Sequence, residues 1–135
     1  MAAGRVLLDT NILVSAALFG GKPGRCLALA EEGRITLVSS IHVLRELADV
    51  LARPRLRVDA EDAASFIEAV TSLADIVPVE STPAGECRDA HDEPVLLAAV
   101  VGAADVIVTG DRDLLELRRP PVPVATVDAF LAGFA

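Results

Sequence analysis

The stretch "VLLDTNILVSA", residues 6–16, decides the fold. Three apolar residues stop at a carboxylate, a hydroxyl and an amide (Asp9, Thr10 and Asn11), and a second apolar run begins at Ile12. A buried strand over Arg5 to Leu8, turning into a helix over Asn11 to Phe19, accounts for this pattern. Asp9 then has a purely structural role open to it, as an N-cap for the first helical turn. Whether it has another role depends on whether further carboxylates occupy similar junctions along the chain.

Outward from that stretch, helical and strand-like segments alternate. "GGKPG" (20–24) reads as a loop from its glycines and proline, and Lys22 followed by Pro23 does not make a phosphate-binding loop. Helix is expected from Cys26 to Glu31 and strand from Ile35 to Val38. From Ile41 to Leu51 the apolar residues Val43, Leu44, Leu47, Val50 and Leu51 recur at helical spacing, with Ser40 as N-cap and Pro54 just beyond the end. A helix follows from about Asp59 to Leu73, then a short strand at "DIVPV" (75–79) and a turn at "STPAGE" (81–86). The remaining expectations are a helix over Glu93 to Ala103, with Pro94 tolerated in its first turn, and a buried strand at "DVIVT" (105–109). A short helix over Asp111 to Leu117, a strand over Val122 to Ala125 and a terminal helix over Val127 to Leu131 complete the chain. Such alternation implies an α/β domain whose parallel sheet is covered on both faces, with ligands beyond the carboxyl ends of the strands.

With 135 residues the chain is expected to form one domain over residues 1–135, long enough to bury a sizeable core. No apolar run approaches the roughly 18 residues of a membrane span, and the N-terminus does not read as a signal peptide. A soluble, cytoplasmic protein with no membrane partner is expected. Cys26 and Cys87 are too far apart in sequence for a C-x-x-C site, and both are expected as free thiols. The formal net charge of −8 argues against a polyanion as partner, unless the acids hold cations. Lys22 is the only lysine against eleven arginines, so bound phosphate would rely on arginine and metal.

Four acids fall where a parallel sheet can gather them at one rim. Asp9 ends the first strand, Asp111 follows "DVIVT", Asp92 precedes the helix in "CRDAHDEPVLLAA", and Glu46 lies within "HVLRELADVL". Glu46 adjoins the apolar stripe of its helix, where a charge is expensive unless paired by a metal or by Arg45 or Arg53. Crowded carboxylates raise one another's pKa unless a cation neutralises them. Oxygen-only ligands suit Mg²⁺ or Mn²⁺, which stabilise charge on a phosphate undergoing in-line displacement.

These segments, together with "SSIHVLRELADVL" (39–51), "CRDAHDEPVLLAAVVGAADVIVTGDRDLL" (87–115) and "VPVATVDAFL" (122–131), resemble the PIN-domain ribonucleases, particularly the toxin components of toxin–antitoxin pairs. The resemblance covers nearly the whole chain. It implies a PIN-like three-layer α/β/α sandwich with a five-stranded parallel sheet, and metal-dependent hydrolysis of RNA phosphodiesters using Mg²⁺ or Mn²⁺. Carried over by position, Asp9, Glu46, Asp92 and Asp111 match the catalytic acids, with Asp9, Asp92 and Asp111 as metal ligands. Asn11 matches the amide of the first motif, Thr109 the hydroxyl before the last acid, and Asp113 a supporting or alternate ligand. His91 interrupts the acidic run usual in relatives, which leaves Asp89 and Glu93 as substitutes for Asp92. The implied partners are an RNA substrate and a cognate antitoxin.

RNA contact is expected from Arg53, Arg55 and Arg112, whereas His42 and His91 are not needed as base or ligand. With no Tyr or Trp and four Phe, extensive base stacking is not expected. Phe130, Leu131 and Phe134 are candidate contacts for a homodimer or an antitoxin complex; the alternative is that they seal the core. A receiver-type domain would need a lysine after the last strand, and a haloacid-dehalogenase-like phosphatase a second Asp where Asn11 stands. The remaining alternative is a catalytically inactive PIN-like module that binds RNA or docks a protein.

Overall fold

In the computed structural model, which describes residues 4–78 and 93–134, the run before Asp9 forms strand β1 (Gly4–Leu8) and the run after it helix α1 (Thr10–Phe19). Helix α2 (Gly21–Glu31), strand β2 (Ile35–Ser40), helix α3 (Ile41–Leu51), helix α4 (Ala60–Leu73) and strand β3 (Asp75–Val77) follow. After the undescribed segment come helix α5 (Glu93–Val101), strand β4 (Val106–Val108), helix α6 (Arg112–Leu115), strand β5 (Val124–Ala125) and helix α7 (Val127–Ala132). The expected turn at residues 81–86 lies outside the described residues, as do Asp89, His91 and Asp92.

The sheet is five-stranded and parallel throughout, in the order β3-β2-β1-β4-β5. The chain first builds outward from β1 to β2 and β3, then crosses back to place β4 on the other side of β1. The direction reverses between β1 and β4, which is where open parallel sheets form a crevice beyond their carboxyl ends. Asp9 directly follows β1, and its N–H donates to the Val108 carbonyl at 3.0 Å.

Two cores cover the two faces, as the alternation of side chains along a strand requires. Val6 and Leu8 of β1 pack on one face with Ile12 and Leu13 of α1 and Val43 and Leu47 of α3. Leu7 packs on the opposite face with Ile107, Val95, Ala98 and Leu114. Gly102, just past α5, lets that helix approach the sheet: a Cβ there would stand 2.7 Å from Val38 Cγ1 and 3.0 Å from Val77 Cγ1.

The loop expected over residues 20–24 is instead a joint and a helical turn. Gly20 takes a left-handed φ of 67° and donates its N–H to the Ala16 carbonyl, ending α1, and α2 starts at Gly21. Pro23 is tolerated because a helix's first turn has no internal partners for its N–H groups. Lys22 pairs on the surface with Asp128 at 2.8 Å.

Phe130, Leu131 and Phe134 pack partly buried against the core, and Arg34 lies over the Phe134 ring at 5.4 Å. They contribute to sealing the domain while keeping part of their surface in solvent. Among the described residues no single helix is long and apolar enough to cross a membrane.

Candidate active site

The switch between β1 and β4 brings Asp9 and Thr109 side by side. Asp9 is the N-cap residue of α1, and its Oδ1 accepts from the Thr10 N–H at 2.8 Å. Its second oxygen accepts from the Thr109 hydroxyl at 2.7 Å. That hydroxyl in turn accepts from the Asp111 N–H at 2.9 Å. Thr109 thus ties the end of β1 to the loop after β4 and fixes both acids relative to each other. Asp111 caps the short α6, its Oδ1 accepting from the Asp113 N–H at 2.9 Å.

Glu46 arrives from α3. The Thr10 hydroxyl donates to its Oε1 at 2.5 Å, so Thr10 links Asp9's neighbourhood to the second acid. The Asn11 side-chain oxygen accepts from the Gly110 N–H at 3.4 Å and holds the loop before Asp111. Asp9, Glu46, Asp111, Asn11 and Thr109 are therefore brought into one constellation. Thr10 was the residue the sequence pattern did not single out; its position inside "DTN" was the available signal.

Burial divides these acids. Asp9 is 7% exposed, whereas Asp111 is half-buried and Glu46 exposed. Glu46 was expected to be costly unless paired by a metal or by Arg45 or Arg53; its exposure lets solvent ease that cost. Burial pushes the Asp9 carboxyl above the ordinary carboxylate range. The Thr109 and Thr10 hydrogen bonds pull it back, and the charges on Glu46 and Asp111 push it up again. Among the described residues, no lysine or arginine forms a salt bridge with any of the three.

The acids line a cleft of about 420 Å³ between α1 and α3. Asn11, Val14, Ser15 and Leu18 face it from α1, at steps of three and four residues, and His42, Glu46 and Val50 face it from α3. Arg53, Arg55 and Arg112 are not among its described lining; all three are exposed, and Arg112 pairs with Glu116 at 3.7 Å. Asp113 is exposed and touches Asp111 through its backbone. Cys26 is fully buried in the core, where burial raises its thiol pKa to about 11, so it offers no nucleophile.

The donor set is all oxygen: three carboxylates, the Asn11 amide and the Thr109 hydroxyl. That chemistry fits a hard divalent cation. Among the described residues no three acids, histidines or cysteines are grouped closely enough to enclose an ion, and Asp92, an expected ligand, lies outside them. Burial first, and the charges on Glu46 and Asp111 last, disfavour the ionised form of Asp9.

The PIN domain family model matches residues 5–113. An uncharacterized protein of Methanocaldococcus jannaschii is 30% identical over 117 residues, covering 84% of this chain and 75% of that protein. Among solved structures, PAE2754 from Pyrobaculum aerophilum superposes with a TM-score of 0.67 at 19% identity, over 98% of this chain and 92% of that one. VapBC2 from Rickettsia felis, in a structure bound to a DNA fragment from their promoter, gives 0.64 at 20% identity, over 90% and 98%.

Proposed function

The chain belongs to the PIN domain family, and from that premise we propose that it is a metal-dependent endoribonuclease, the toxin of a toxin–antitoxin pair, acting as one domain over residues 1–135. The observation that carries this reading is Asp9: a buried carboxylate at the sheet's switch point, facing Glu46 and Asp111, with no described cation to neutralise it. A purely structural N-cap needs neither the burial nor the two acidic neighbours.

In this reading Asp9, Asp111 and Asp92 hold Mg²⁺ or Mn²⁺, with Glu46 the fourth catalytic acid. A bound ion of this kind supplies Lewis acidity toward the scissile phosphate and lowers the pKa of water. The chain's own residues do the rest. Thr109 donates to one Asp9 oxygen and Thr10 holds the other, so the carboxylate has a single orientation. The Thr10 hydroxyl fixes Glu46 while leaving it exposed to solvent, a suitable placement for accepting a proton from attacking water. Asn11 and Asp113 support the loop around Asp111, and Arg53, Arg55 and Arg112 act on RNA only beyond the cleft.

The fold shared with VapBC2 supports an antitoxin partner, and a homodimer is part of the same proposal. The test is incubation of purified protein with assorted RNAs and Mn²⁺ or Mg²⁺. Cleavage is expected, lost in EDTA and reduced by orders of magnitude in Asp9→Asn. RNA bound but uncut by the wild type would establish the inactive binding module instead. Equal cleavage by wild type and variant would assign the activity to a contaminant.

A further inference from the structure

The cleft has a chemistry that its acids leave unexplained. Beyond Asn11, the α1 face turns apolar through Val14 and Leu18, and it ends at Phe19, which is 80% exposed and lines the same cleft. Val50 faces it from α3. The chain has four aromatic residues in all, every one a phenylalanine. Phe66, Phe130 and Phe134 pack against the core; Phe19 alone stands out in solvent. Leaving a phenyl ring in water forfeits the gain from burying it, so the position has no stabilising role in the domain by itself.

We propose that Phe19 is the stacking platform for an unpaired base of the substrate RNA, flanking the nucleotide whose phosphate lies at Asp9. This rests on the ribonuclease reading and deepens it by naming what grips the strand. From Asp9 to Phe19 is ten residues, or roughly 15 Å along the helix axis. That distance is too great for the base attached at the cleaved bond and suits a neighbouring one. The described lining of the cleft carries no lysine or arginine, so none of those residues offers an ion pair to the strand's phosphates along α1. A base face needs no cation to be gripped, and every base has one. Stacking on an exposed aromatic therefore selects single-stranded over paired RNA without selecting sequence.

The experiment compares wild type with Phe19→Ala, Phe19→Leu and Phe19→Trp on one single-stranded RNA carrying 2-aminopurine at successive positions. Binding is read by base fluorescence in Ca²⁺ and cleavage separately in Mn²⁺. For Phe19→Ala we expect about tenfold weaker binding and a similarly raised KM, with kcat little changed. Phe19→Trp is expected to restore affinity and Phe19→Leu not, because leucine keeps apolar bulk without a ring. Fluorescence quenching should be confined to a flanking position and lost in Phe19→Ala. Unchanged affinity in Phe19→Ala, or full rescue by leucine, overturns the proposal. So does an effect of Phe19→Ala confined to oligomeric state, which would make the residue a protein contact. The ribonuclease reading fails separately, by absence of cleavage, and quenching that depends on Phe19 would then still establish the platform.

Discussion

Strand β1 meets acids at both of its ends, and treats them in opposite ways. At the amino end, Arg5 answers each of them: its guanidinium bonds Asp75 at 2.7 Å and the Gly102 carbonyl at 2.7 Å, while its N–H donates to Asp105 at 2.8 Å. At the carboxyl end, Asp9, Glu46 and Asp111 face one another with only hydroxyls and backbone N–H groups as described partners. The first arrangement is what stability alone favours. Among the described residues the second leaves its charge unneutralised in a partly dry site, and natural sequences tolerate such violations chiefly where function requires them.

The sharpest contrast is in activity. Asp9→Asn should lower RNA cleavage by orders of magnitude, while Asp75→Asn, equally isosteric but at the other end of the sheet, should leave kcat and KM unchanged. Comparable losses in both variants would erase the distinction between the ends.

Next in size is Gly102→Ala. The added methyl meets Val38 and the Ala98 carbonyl at 2.7 and 3.0 Å, and neither yields easily. Overpacking of this kind costs roughly 1–3 kcal/mol, readable by urea denaturation, with cleavage per folded molecule preserved. Arg5→Met probes the same end more gently. Its pair with Asp75 is partly exposed, at 33% and 53%, so solvent screens it. A loss of about 1 kcal/mol is expected, mostly from the half-buried bond to the Gly102 carbonyl.

The last effect has the opposite sign. Folding raises the Asp9 pKa above 3.8, so between that value and the folded one the native state binds more protons than the unfolded chain. Wild-type stability therefore falls as pH rises through that window, and the penalty is complete at neutral pH. In EDTA, Asp9→Asn should melt above wild type at pH 7, and the advantage should shrink as pH drops toward 3.8. Adding Mn²⁺ should reverse the order, because an ion that binds only the native wild type stabilises it by about 2.7 kcal/mol at a hundredfold excess over Kd. Equal Mn²⁺ shifts in both proteins would return Asp9 to the role of a helix cap.

Periodicity carried the helices well where composition agreed with it. The expected bounds of α3, Ile41–Leu51, coincide with the observed ones, and Ser40 caps it by accepting from the Val43 N–H. At α2 it found the end at Glu31 but not the start at Gly21, because glycine and proline signal a break without revealing that a first turn has room for both. At the site, "DTN" and "VTGD" announced Asp9, Asn11, Thr109 and Asp111. The exposure of Glu46 was not legible, because adjoining an apolar stripe says nothing of how far a neighbouring helix extends over it. The basic pair Arg53 and Arg55 was visible as charge, but its distance from the cleft was not.

What the sequence by itself determined is local: apolar runs closing on carboxylates, helical spacing between them, and thus an α/β chain with acids after its strands. Those features follow from hydrogen bonding and side-chain direction within a few residues. Only the tertiary structure decided that β4 returns to the far side of β1, joining Thr109 to Asp9 across 100 positions of chain. It alone decided that Asp9 is dry while Glu46 is wet, and that one phenylalanine of four is left in the cleft. Strand order, burial and exposure depend on which distant segments pack together, and no local pattern encodes that choice.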